Sequence, residues 1–210
     1  MVLGRIRWLG HASFLIGGEP VIYIDPWETP PGLPPADLIL VTHPHYDHLS
    51  AEDIRRLRKE ATAVVGPPDV IKQLGREGLN LVEIKAGEEK TVGGIRVRAV
   101  PAYNRTKHFH PKASGWVGFI LYLPEGSVYH AGDTDHIPEM RGLKPTVALL
   151  PVGGTYTMDA AEAARAAADI GPEVAVPMHY GKIVGSEADA RRFRELYSGR
   201  VEILPKGGPR

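Results

Sequence analysis

The chain has 210 residues, 43% of them hydrophobic, with 25 Lys and Arg against 25 Asp and Glu, so it can build a sizeable core and carries no excess of either charge. That balance excludes a duplex-nucleic-acid binder whose affinity rests on a basic surface. The absence of cysteine excludes disulfides, thiolate nucleophiles and Cys-ligated zinc, leaving only nitrogen and oxygen to hold a metal.

In chain order, short apolar runs separated by Gly and Pro predict strands over 5–9, 12–16, 21–24 and 36–41. The run 12–16 is far too short to span a bilayer, and no signal-peptide order precedes it, so a soluble cytoplasmic protein without membrane partners is expected. Ser50-Ala51-Glu52-Asp53 reads as a capping box for a helix carrying Ile54, Leu57 and Ala61. A strand over 63–65, a short helix over 69–75 and strands over 81–84 and 95–100 follow, the last opened by Gly93-Gly94, and then a loop over 101–115. The second half gives strands over 117–123, 128–131 and 147–150, and a helix over 159–170 stopped by Gly171-Pro172. A strand over 174–178, a helix capped by Ser186 and a closing strand over 201–204 complete the chain. No linker interrupts it, so a single domain over 1–210 is expected, with sheets whose outer faces are covered by helices. Asn occurs only at 80 and 104 and Gln only at 73, beside 19 prolines, a pattern that predicts a thermophilic source.

Three of the nine histidines fall within His43-Pro44-His45-Tyr46-Asp47-His48, directly after a predicted strand. A strand end followed by a tight turn aims His43 and His45 the same way and sends Asp47 and His48 out on the other side, which makes two adjacent nitrogen and oxygen cages. A zinc pair needs about six protein ligands, so further ligands are required at other strand ends. Asp133, in Tyr129-His130-Ala131-Gly132-Asp133-Thr134, and His179, in Val176-Pro177-Met178-His179-Tyr180, stand in such places. His130 is expected to point to the opposite face of its strand, and His136 to lie at a pocket rim or on the surface. Trp8, Trp27 and Trp116 read as packing or pocket wall.

With these motifs, Gly10-His11-Ala12-Ser13-Phe14, Ile24-Asp25-Pro26 and Leu149-Leu150-Pro151-Val152-Gly153-Gly154 with Thr157-Met158, the chain resembles the metallo-β-lactamase fold superfamily, and in particular its ascorbate-phosphate-lactonase-like branch of metal-dependent hydrolases. The resemblance implies an α/β fold, a four-layer αββα sandwich, with metals at one edge between the sheets. It implies that His43 and His45 bind a first metal, that Asp47, His48 and His179 bind a second, and that Asp133 bridges them. Asp25 would orient the histidine turn from behind. The superfamily's third histidine for the first metal falls in register at Asn104, which would then face substrate. His110 is the favoured substitute; alternatively it belongs to the substrate loop or surface and the first site has three ligands. His11 either faces the pocket or holds a hydrogen-bonded core place.

The expected cofactor is one or two divalent ions, zinc first, with manganese, iron or nickel open. Such an ion lowers the pKa of its water, giving a hydroxide nucleophile, with Asp47 placed to accept a proton. The expected function is hydrolysis of a small phosphoester, phosphodiester or lactone-like molecule. Arg105, Lys107 and Lys112 surround His108 and His110 in the loop beside the site and would suit an anionic substrate group, Lys112 being taken as substrate-binding, or are ordinary cations of a solvated loop. A nuclease of this fold would need a basic surface and an extra domain. A metal-binding scaffold that has lost catalysis is the alternative outside enzymes, favoured by Asn104 and opposed by Asp47, His48 and Asp133.

Overall fold

The computed structural model describes residues 1–75 and 78–207. The first six strands form one sheet in sequence order: β1 (Ile6–Gly10), β2 (Ser13–Ile16), β3 (Ile22–Ile24), β4 (Ala36–Leu40), β5 (Arg58–Gly66) and β6 (Asn80–Glu83). The next six form the other: β7 (Glu89–Val92), β8 (Ile95–Pro101), β9 (Val117–Leu123), β10 (Gly126–His130), β11 (Val147–Pro151) and β12 (Val174–Met178). Each sheet opens with antiparallel hairpins and ends in parallel strands, β3 to β6 and β10 to β12. Parallel neighbours need crossovers. Helices α1 (Ala51–Leu57), α2 (Pro68–Leu74) and α3 (Ala160–Ile170) serve three of them, and α4 (Glu187–Leu196) follows β12.

Strand alternation builds the layers. Phe14, Ile16, Ile24, Leu40 and Val65 turn from the first sheet toward the second, while Leu15, Tyr23, Ile39 and Val64 turn the other way onto Ile54 and Leu57 of α1 and Val70 and Leu74 of α2. Ala163, Ala166 and Ala167, all fully buried, let α3 lie close on the second sheet beside Phe193 of α4. The result is the expected αββα sandwich. Each such large side chain, fully buried, stabilises by roughly 1.5–3 kcal/mol, so a one-residue slip of β3 or β4 would exchange two filled faces at once.

Several elements differ from expectation. Helix α1 stops at Leu57, and Ala61 lies in β5, which starts at Arg58. Asp53 does not close the capping box: its backbone N–H reaches Ser50 Oγ at 3.1 Å, but its carboxylate accepts from the N–H groups of Glu28 and Thr29 and from Thr29 Oγ1. Strand β7 has a polar sequence, Glu-Lys-Thr-Val, with no apolar run to mark it. The closing strand over 201–204 is reduced to single bridges, Val201 with Ala175 and Lys206 with Trp8.

Candidate metal centre

The parallel strands β3, β4, β10 and β12 end at one edge of the sandwich, where open parallel sheets present ligand sites. Asp25 follows β3, His43 follows β4, Asp133 follows β10 and His179 follows β12; His11 stands in the turn between β1 and β2. Three of them leave their strands in the left-handed region, His11 at φ 52°, Asp25 at φ 47° and His179 at φ 58°. Non-glycine residues held there cost of order 1–3 kcal/mol each. Gly153 admits the His179 turn, because a Cβ at 153 would lie 2.2 Å from the His179 carbonyl oxygen.

The histidine string, Asp133, His179, His11 and His110 are brought together. Three sets of donor atoms lie within 4.8 Å of one another: His11, Asp47, His48 and His179; His43, His45 and His110; and His43, His48 and Asp133. Asp133 Oδ2 lies 3.1 Å from His179 Nε2, 3.3 Å from His110 Nε2 and 4.0 Å from His43 Nε2, and its Oδ1 lies 3.3 Å from His48 Nε2. Asp47 Oδ2 lies 3.6 Å from His48 Nε2 and 3.9 Å from His179 Nε2. Despite these distances, His48 Nε2, His110 Nε2, both ring nitrogens of His179 and Asp133 Oδ1 are buried without a hydrogen bond. Leaving buried polar atoms unpaired costs roughly 1–3 kcal/mol each. The Nε2 atoms of His48, His110 and His179 face Asp133, an arrangement that suits a divalent cation, and imidazole with carboxylate is the donor set for zinc and its first-row neighbours.

The far sides of the rings are held. Asp25 Oδ2 accepts from His48 Nδ1 at 2.7 Å and from Thr42 Oγ1 at 2.7 Å, and its Oδ1 accepts from the Thr42 N–H at 2.8 Å. Because Thr42 gives its hydroxyl proton to Asp25, it accepts from His43 Nδ1, 3.0 Å away. One carboxylate therefore sets two tautomers, turning both Nε2 lone pairs to the cluster. Asn104 Oδ1 likewise accepts from His110 Nδ1 at 3.1 Å and from the His110 N–H at 3.0 Å. His11 Nε2 bonds Asp47 Oδ2 at 2.9 Å.

Burial holds the His43 imidazole well below its ordinary range, and lowers His45 and His11 as well. His48 goes the other way: burial opposes its charge, but Asp133 and Asp25 outweigh burial and raise it well above. Burial also opposes charge on Asp133, which His179 and His48 nonetheless hold well below the carboxylate range.

Two residues expected to meet substrate stand elsewhere. Lys112 Nζ pairs with Glu139 at 3.0 Å and sits over the Tyr103 ring, drawn away from the cluster by that carboxylate and ring. Asn104 is buried with its amide fully used, its Nδ2 donating to Asp135 Oδ1 and the Tyr156 carbonyl. Lys107 is paired with Asp135. His130 uses both ring nitrogens on backbone, the Ala12 carbonyl and the Gly132 N–H, and His136, half-buried, bonds Asp169 of α3. A cavity of about 230 Å³ opens onto Asp47, Asp133, His45 and His110. A larger hollow of about 490 Å³ lies between α4 and the C-terminal segment, and of the cluster residues His11 lines it. Sequence reasoning missed Thr42 as the relay to Asp25, and missed Tyr46 and Phe109 at the cavity mouth, whose only signal was adjacency to His45 and His110. Among the described residues no helix is long and apolar enough to cross a membrane.

Comparison with known proteins identifies the family. Residues 13–180 match the model of the β-lactamase superfamily domain. The UPF0173 metal-dependent hydrolase of Thermoplasma acidophilum is 36% identical, over 96% of this chain and 95% of its own length. That of Caldivirga maquilingensis is 38% identical, over 98% and 96%. Among solved structures, a Parabacteroides distasonis protein superposes with a TM-score of 0.85 at 33% identity, covering 94% of this chain and 91% of its own. Igni18, a metallo hydrolase from the hyperthermophilic archaeon Ignicoccus hospitalis, gives 0.78 at 27% identity, covering 96% and 94%. The chain belongs to the β-lactamase superfamily domain family and, within it, to the UPF0173 metal-dependent hydrolases.

Proposed function

We propose that this chain hydrolyses a small phosphoester, phosphodiester or lactone-like substrate with one or two divalent ions, zinc foremost, held by its converged histidines and aspartates. The observation that carries this reading is the set of buried, unpartnered nitrogens and oxygen of His48, His110, His179 and Asp133. His43, His45 and His110 would hold one ion, Asp47, His48 and His179 the other, with Asp133 between them. An ion so held supplies acidification of water and polarisation of the attacked bond. Asp47, whose side chain is 12% exposed and lines the cavity, accepts the proton released when water attacks. His11 keeps the Asp47 carboxylate turned inward, and Asp25, Thr42 and Asn104 keep the imidazoles in the tautomers that can bind. A thermophilic setting is supported by the scarcity of amides.

The test is chelator treatment followed by exchange into metal-free buffer, then addition of zinc or manganese, with turnover of a phosphodiester and a lactone followed at each stage. Turnover is expected to vanish with the metal and return with it. Full activity of metal-depleted protein would defeat the proposal.

A further inference from the structure

Beside the cluster residues, the cleft is lined by Tyr46, Phe109, Tyr156 and Ile183. Among the described residues no lysine or arginine lines it, and Lys107, Lys112 and Lys182 are paired with Asp135, Glu139 and Glu28. Tyr46 is 69% exposed and Phe109 47%, while Met1 and Leu196 are the other exposed large hydrophobics among the described residues. An apolar side chain exposed singly needs no explanation, but two flanking one cavity mouth do. Both are braced: Phe109 meets the Tyr156 ring edge-on with centroids 4.7 Å apart, and Tyr46 meets Trp27 at 6.0 Å. Such walls offer dispersion and desolvation to an apolar group. They offer no counter-charge, so a carboxylate or phosphate pressed against them would lose hydration without compensation.

We infer that the non-reacting part of the substrate is an uncharged apolar group about the size of one aromatic ring, seated among Tyr46, Phe109, Tyr156 and Ile183. A dry cavity of about 150 Å³ takes up benzene, so a cleft of about 230 Å³ that also takes in the ion sites has room for about one ring and little more. The inference rests on the hydrolase reading and narrows it: negative charge belongs at the reacting bond and nowhere else on the substrate.

Zinc-loaded enzyme is assayed with phenyl acetate, with 4-acetoxybenzoate, which adds a carboxylate far from the same ester bond, and with ethyl acetate, which has no ring. Phenyl acetate is expected to exceed 4-acetoxybenzoate in kcat/KM by about tenfold or more. Phe109→Ala and Tyr46→Ala are each expected to lower the phenyl acetate to ethyl acetate ratio of kcat/KM by about tenfold, chiefly through KM. Equal turnover of the charged and neutral aryl esters, or an unchanged ratio in both variants, would overturn the inference while leaving the hydrolase reading intact. Calorimetric binding of acetanilide, an uncleaved neutral aryl amide, separates the two claims. If acetanilide binding weakens about tenfold in Phe109→Ala while no ester or phosphodiester is turned over, the cavity assignment stands and the hydrolase reading fails. Acetanilide binding that is indifferent to both variants overturns the cavity assignment.

Discussion

Asp25 holds His48 through a 2.7 Å hydrogen bond from which solvent is wholly excluded, both side chains being 0% exposed. The same oxygen receives the Thr42 hydroxyl, so the carboxylate governs two imidazoles while touching neither the cavity nor, on the proposed assignment, the ions. Asp25→Asn keeps the shape and removes the charge. Metal affinity is expected to fall about 10–100-fold, read by competition with a chromophoric chelator. Unchanged affinity would show that the His48 tautomer does not depend on this carboxylate.

His43→Ala and Asp133→Ala each remove a donor from the shared centre of the cluster. Both are expected to lower bound metal and hydrolysis in parallel, measured by elemental analysis and turnover on the same samples. Loss of turnover with metal content intact would instead assign these residues to chemistry alone.

Asn104 and His110 form a unit, since the amide fixes the imidazole through 3.0 and 3.1 Å bonds. His110→Ala is expected to reduce stoichiometry from about two ions per chain to about one. Asn104→Ala should weaken the same ion without abolishing it, since His110 remains but is free to turn. Identical stoichiometry in wild type and His110→Ala would remove His110 from the ligand set.

Metal uptake is expected to displace a proton from His48. In the metal-free protein Asp133 and Asp25 outweigh burial and raise this imidazole well above its ordinary range, whereas burial lowers His43 well below it. Ligation needs neutral imidazole, so binding at pH 7 should release about one proton per chain. The sign follows: apparent affinity rises with pH until the raised His48 value is passed. Calorimetry in buffers of different ionisation enthalpy reads the proton directly, and a heat independent of buffer would contradict the assignment.

Gly153→Ala places a methyl group against the His179 carbonyl at 2.2 Å, nearer than real Cβ atoms come. His179 must shift although it is chemically untouched. Reduced metal affinity with a folded circular dichroism spectrum is expected, and a wild-type affinity would show that the turn has room to move.

Much of the fold was legible because apolar alternation marks buried strands: β8, β9 and β12 lie within a residue of their expected bounds. Strand β7 was not, since a polar edge strand carries no such mark, and α1 ended early because β5 claims Arg58 onward for pairing beside β4. The converging side chains were legible at His43 to His48, where density of histidine is itself the signal, and at Asp133 and His179 through their place at strand ends. The place of Asn104 and the direction of Lys112 were not, because each is decided by a partner distant in sequence, Asp135 for one and Glu139 for the other. Asp53 followed the same rule: a local cap was read, but a loop 24 residues upstream took the carboxylate.

The left-handed backbone at His11, Asp25 and His179 sets fold and chemistry against each other at three positions. Glycine would relax all three turns and discard the groups they display. A library selected only for heat resistance should therefore drift toward glycine or asparagine at His11 and His179, whereas Asp25, whose carboxylate satisfies three buried donors, should be retained; the hardier proteins would grip an ion less well unless selection for turnover is imposed alongside.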